Sequence, residues 1–130
     1  MQSRFGFGKA VEFGFDEAIE RVTEELKGEG FGVLSDIDVA GTMKKKLDLD
    51  MPPYRILGAC NPNLAHQAVS AIPDIGLLLP CNVLVREDEN GRVSVSFMDP
   101  TSVLGLVGDP KLEPLAGEVK QKLERVLAAV

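Results

Sequence analysis

Residues 54–86, YRILGACNPNLAHQAVSAIPDIGLLLPCNVLVR, read as strand, helix and strand, and they hold both cysteines, the only histidine and the longest apolar run of the chain. Tyr54 to Cys60 forms the first strand. Asn61 followed by Pro62 is a helix start: an asparagine side chain can accept from a free amide of the first turn, and proline lacks an N–H that would have no partner there. Leu64, Ala65, Ala68, Val69 and Ile72 supply the buried face of that helix, and Pro73 ends it. Leu77 to Arg86 reads as the next strand. Leu79, Cys81, Val83 and Val85 form its inward row, with Asn82 and Arg86 on the other face.

Upstream, the alternation of Phe5, Phe7, Val11 and Phe13 predicts a strand near 4–13. Phe15, Ile19, Val22 and Leu26 follow at helical spacing, with Asp16 and Glu17 at the positive end of the helix dipole and Gly28 and Gly30 as a stop. Phe31, Val33, Ile37 and Val39 return to a period of two, with Asp36 and Asp38 opposite. A short helix from about Thr42 buries Met43 and Leu47 and cannot pass Pro52-Pro53. Downstream, Arg92 to Met98 is a fifth strand reached through an Asn90-Gly91 turn. Asp99-Pro100, Gly105, Gly108 and Pro110 mark a loop or a short 3₁₀ turn. A last helix from about Leu112 buries Leu115, Val119, Leu123, Val126 and Leu127. The order β-α-β-α-β-α-β-β-α predicts one α+β domain over residues 1–130, with about five strands in a mixed or antiparallel sheet and helices largely on one face. An α/β sheet is the alternative.

At 130 residues the chain is the size of one domain and can bury a core without staples. Its net charge of −6 excludes a nucleic-acid footprint, and the only basic run, Lys44-Lys45-Lys46, is flanked by Asp48 and Asp50. No apolar run approaches the roughly 20 residues that span a bilayer. The N-terminal residues lack a signal core and a cleavage site, so the expected location is the cytoplasm, where thiols are kept reduced, with one bridge between the two cysteines left open.

The chemistry concentrates on Cys60, Asn61, His66, Cys81 and Asn82. Cys60 has two readings. It packs as a small hydrophobe in line with Tyr54, Ile56 and Gly58, or it is a reactive thiol at a helix N-terminus, where free amides stabilise the thiolate. Cys81 reads as a packed strand residue, and Asn82 as a residue that holds a loop or lines a pocket. A metal would require Cys60, His66 and Cys81, with Asp99 or water as fourth ligand, but the spacing fits no strong zinc pattern and His66 sits on the flank of its helix. A Cys60–His66 nucleophile and base would lie more than one helical turn apart. Asp36, Asp38 and Asp99 are acid–base candidates or simply solvated carboxylates. Phosphate loops, nucleophile elbows, dinucleotide fingerprints and HExxH are absent from the sequence, and no cofactor is implied.

Three blocks, EGFGVLSDIDV (29–39), PPYRILGACNPNLAHQAV (52–69) and GLLLPCNVLV (76–85), resemble the hallmark segments of the bacterial and archaeal domain of unknown function 302 family. The resemblance covers essentially the whole chain. It implies a small α+β domain with a curved sheet and helices arranged as in the TATA-binding protein, and a tendency to form homodimers. It implies no activity. The residues that carry it are Asp36, Tyr54, Cys60, Asn61, Pro62, Ala65, Gly76, Leu79, Pro80, Cys81, Asn82 and Asp99.

The reading that follows is a small homodimeric protein that binds a small molecule near Cys60 and Cys81. The alternatives are a thiol- or metal-dependent enzyme using Cys60 with His66 and Cys81, and a purely structural interaction module that self-associates through the sheet or the apolar 75–85 segment.

Overall fold

The computed structural model describes residues 3–130. Among these residues five strands, β1 (Gly6–Val11), β2 (Gly32–Asp38), β3 (Tyr54–Cys60), β4 (Cys81–Glu87) and β5 (Val93–Met98), form one sheet in the order β1-β5-β4-β3-β2. Every neighbouring pair is antiparallel. Five α-helices connect or follow them: α1 (Phe15–Gly28), α2 (Val39–Leu47), α3 (Pro62–Ala71), α4 (Pro100–Leu104) and α5 (Glu113–Ala129). The α+β expectation holds, and the sheet is antiparallel throughout.

The alternation of side chains along the strands creates the main core. Phe7, Leu57, Val83, Val85, Val95 and Phe97 project from one face of the sheet onto Ala18, Val22 and Leu26 of α1 and Val119, Leu123 and Val126 of α5. The Phe7 and Phe97 rings stack across the β1–β5 pair with centroids 5.8 Å apart. A smaller cluster of Ala68, Ile75, Leu104, Leu112 and Ala116 joins α3, α4 and α5 at one end of the sheet.

Helix α1 ends in a Schellman arrangement: Gly30 N–H donates to the Lys27 carbonyl and Phe31 N–H to the Leu26 carbonyl. Gly30 has φ +86°, a left-handed conformation that glycine adopts without a Cβ clash. Leu26 and Phe31, the two apolar residues brought together by this turn, are both buried in the main core.

Four local expectations are corrected. The strand expected from Leu77 starts only at Cys81, because residues 73–78 wind into a 3₁₀ turn anchored by buried Ile75. Pro80 has no N–H to offer a strand ladder, and the Leu79–Pro80 peptide bond is cis. In β2 a register shift between Val33 and Ser35 inserts one residue and exchanges the faces, so Ile37 is half-exposed and Val39 opens α2. Asp38, rather than a residue near Thr42, caps α2 by accepting from Gly41 N–H at 2.8 Å, and Leu47 is exposed. Val69, placed on the buried face of α3 by its spacing, is also exposed, while Leu64 and Ala68 are buried as expected.

The Asp99-Pro100 exit is a true helix start. Asp99 accepts from Thr101 N–H at 2.9 Å and from Thr101 Oγ1 at 2.7 Å, and Lys120 of α5 donates to it at 2.9 Å. Burial alone would push the Asp99 carboxyl upward, but these bonds hold it below the ordinary carboxylate range.

Candidate functional site: an apolar cavity between two core clusters

The seam between the two clusters leaves a cavity of about 400 Å³. Ala59 and Cys81 of β3 and β4 form one wall, Leu64, Ala65 and Ala68 of α3 a second, and Leu104, Leu115 and Val119 of α4 and α5 a third. Phe31, Leu34, Ser35, Cys60, Asn61, Leu79 and Pro80 complete it. Its size falls within the range of small-molecule pockets, and apart from Ser35, Asn61 and the two thiols its walls are hydrocarbon.

The thiols reach this cavity through register. Cys81 opens β4 and pairs with Ala59 in β3, one residue before Cys60. Cys81 is buried and Cys60 half-buried, and both are free thiols. Burial pushes the Cys81 thiol up to about 11, with neighbouring Cys60 adding to the shift. Cys81 is therefore a packed wall residue in its neutral form near pH 7, and it is a poor nucleophile.

Asn61 is explained by the fold. Its Oδ1 accepts from Leu64 N–H at 3.3 Å, capping α3, and its Nδ2 donates to the Glu29 carbonyl at 3.3 Å, tying the start of α3 to the end of α1. Glu29 is itself held by Arg125 of α5 at 2.8 Å.

The five site residues expected from the sequence therefore separate. Cys60, Asn61 and Cys81 share the cavity. His66 is exposed on α3 and does not line it, and among the described residues no three His, Cys, Asp or Glu side chains are grouped as metal ligands. Asn82 alternates to the other face of β4 and lines a separate groove there. Of the acid–base candidates, Asp36 is taken by a bidentate pair with Arg55, whose hydrogen bonds hold its carboxyl low. Asp38 and Asp99 are helix caps. Sequence reasoning missed the apolar lining from α4 and α5, above all Leu104 and Val119. The helical spacing of Leu115 and Val119 was visible, but which surface they face depends on the chain crossing.

The comparisons with known proteins agree with this architecture. A crystal structure described as an uncharacterized conserved protein DUF302 from Bacillus stearothermophilus superposes with a TM-score of 0.90 and 34% identity, covering 98% of each chain. The fluoride-specific ion channels FluC 1 of Brucella suis and FluC 2 of Brucella melitensis are each 31% identical over 104 residues, which is 76% of this chain. The chain spans only about two fifths of their length, 41% and 38% respectively. The family described as "Domain of unknown function DUF302" matches residues 7–130. The chain belongs to the DUF302 family.

Proposed function

We propose that the protein binds a small, largely uncharged apolar molecule in the cavity between α3, α4, α5 and the β3–β4 end of the sheet. The observation that carries this reading is the composition of the walls: about 400 Å³ of space lined mostly by hydrocarbon, with Ser35, Asn61 and the two thiols as the polar groups of the lining. The raised Cys81 pKa removes one thiol as a nucleophile, and His66, which does not line the cavity, is not placed as a base, so both favour binding over thiol catalysis. A reducing cytoplasm fits two free thiols in one cavity wall. The fluoride conduction for which the Brucella proteins are named does not enter this reading. Their match covers two fifths of their length, and no helix among the described residues is long and apolar enough to cross a membrane.

A titration with 1-octanol, followed by methyl NMR, tests it. Saturable shifts centred on Leu64, Leu104, Leu115 and Val119 support the reading. Shifts scattered over the surface, or none, count against it.

A second reading concerns self-association. β2 is an edge strand, and Leu34 and Ile37 on it are 71% and 51% exposed, with Leu47, Leu49 and Met51 exposed on the following helix and connection. Exposed apolar side chains on an edge strand favour pairing with a second copy of the chain. The alternative surface, the 75–85 segment, offers less: Leu78 and Leu79 pack inward on the smaller cluster, and Leu77 alone is 87% exposed.

A further inference from the structure

The sheet face opposite the α1–α5 core carries its own groove, of about 670 Å³. Register places its residues in two rows: Tyr54 beside Arg86 and Ile56 beside Leu84 across β3–β4, with Leu84 beside Ser96 across β4–β5. Beyond Ser96 the surface drops onto Gly8 and Gly6 of β1, and Gly8 has no space for a Cβ, which would stand 2.4 Å from the Val95 carbonyl oxygen. Gly6 and Ser96 line the groove on this side. Phe5, Met98 and Val103 rise at its side.

Among the described residues, Arg86 is the only charged side chain lining this groove. It is half-buried and has neither an ion pair nor a hydrogen bond among the described residues, although the protein carries 20 carboxylate side chains. An arginine left unpaired on an apolar face of an acidic protein is a site complementary to an anion from outside. A single planar guanidinium fork matches a carboxylate, whereas a phosphate is normally met by several cations or a nest of backbone amides, which this strand surface does not offer. The Tyr54 hydroxyl, across the strand from Arg86, is a second donor at the same end. From Arg86 to Asn82 the groove runs four residues along β4, about 13 Å by the rise of a strand, over Leu84 and Ile56.

We propose that this open face binds a medium-chain amphiphilic carboxylate, its carboxylate on Arg86 and its apolar chain along Leu84 and Ile56 toward Asn82. A second copy of this chain fits the face poorly. Docking two such faces would desolvate two guanidinium groups, and among the described residues neither groove supplies a carboxylate.

The test is a ¹⁵N NMR titration of the full chain with octanoate, with 1-octanol as the uncharged control, on wild-type protein and Arg86→Gln. The expected result is saturable octanoate shifts at Tyr54, Leu84, Arg86 and Ser96, an affinity roughly tenfold or more lower in R86Q, and no comparable response of these amides to 1-octanol. Equal effects of octanoate and octanol on this face, an unchanged affinity in R86Q with its spectrum otherwise intact, or octanoate shifts confined to the helix-side cavity would overturn the proposal. Line broadening of the same amides that follows protein concentration without octanoate would give the face to a second copy, and would overturn it too.

Discussion

Asn61 binds the carbonyl of Glu29 across 32 residues of sequence, and with the same side chain it caps α3, one wall of the cavity. One residue therefore fixes both the start of α3 and the end of α1. Replacing it with alanine removes the cap and leaves the Glu29 carbonyl without its donor. The expected loss is about 1–2 kcal/mol in a urea denaturation series. Asn61→Asp keeps the cap acceptor but sets a carboxylate against that carbonyl, so it should recover only part of the loss. An N61A protein as stable as wild type would remove Asn61 from this role.

The two thiols should differ sharply in reactivity. With its pKa near 11, Cys81 is thiolate in only roughly one molecule in a few thousand at pH 7.5, and it is buried besides. Iodoacetamide on the native protein is expected to label half-buried Cys60 first, with Cys81 labelled only after unfolding. Comparable rates at the two positions, read by peptide mass spectrometry, would contradict the wall assignment.

The same shift has an alkaline consequence. The folded Cys81 thiol holds its proton above the ordinary value of 9.0, so its contribution to stability is complete below pH 9 and is lost as pH rises through about 11. The loss amounts to roughly 2–3 kcal/mol. In Cys81→Ala the stability curve between pH 9 and 11 should be flatter than in wild type, whatever the overall offset from the lost sulfur. Parallel curves would show that another group titrates there.

Asp99 works in the opposite direction. Its carboxyl is held low by Thr101 and Lys120 against the pull of burial, so its stabilisation is present above the usual carboxylate range and fades as pH falls through it. Asp99→Ala should cost about 1–3 kcal/mol at pH 7, from the lost α4 cap and the link to α5, and less below about pH 4. Thermal melts at both pH values would read the difference. A deficit that is the same at both would contradict the assigned charge.

Much of this was legible from sequence because the residues involved act locally. Asn61-Pro62 declares a helix start by its own chemistry, and α1 and α5 carry enough apolar periodicity to be placed along with their buried faces. Asp99-Pro100 has the same chemistry as Asn61-Pro62, yet its helix is five residues long, too short for periodicity to support it. The β2 faces were misread because the irregularity between Val33 and Ser35 exchanges them, and alternation alone cannot reveal an inserted residue. Leu77 to Leu79 look like a strand by composition, but proline on either side favours a turn. The site was half visible. Cys60, Asn61 and Cys81 converge because Ala59 pairs with Cys81, a register set by the whole sheet, and the same register sends Asn82 to the other face.

The edge strand gives a separate expectation. If β2 pairs with a second copy, Leu34→Lys combined with Ile37→Lys should shift the sedimentation equilibrium of a dimer to monomer while leaving the far-ultraviolet spectrum unchanged. Charges on an edge strand block such pairing. A dimer of equal affinity in the double variant would move the interface elsewhere.

The most direct test of the cavity as a binding site is the dissociation constant of 1-octanol for wild type and for Ala65→Phe, measured by calorimetry on proteins matched for melting temperature. Ala65 is half-buried on the cavity wall, where a phenyl ring can fill the space with little disturbance of the core. The expected result is saturable binding to wild type and an affinity lower by roughly tenfold or more in A65F. Equal affinity in the two proteins, or no binding to wild type, would contradict it.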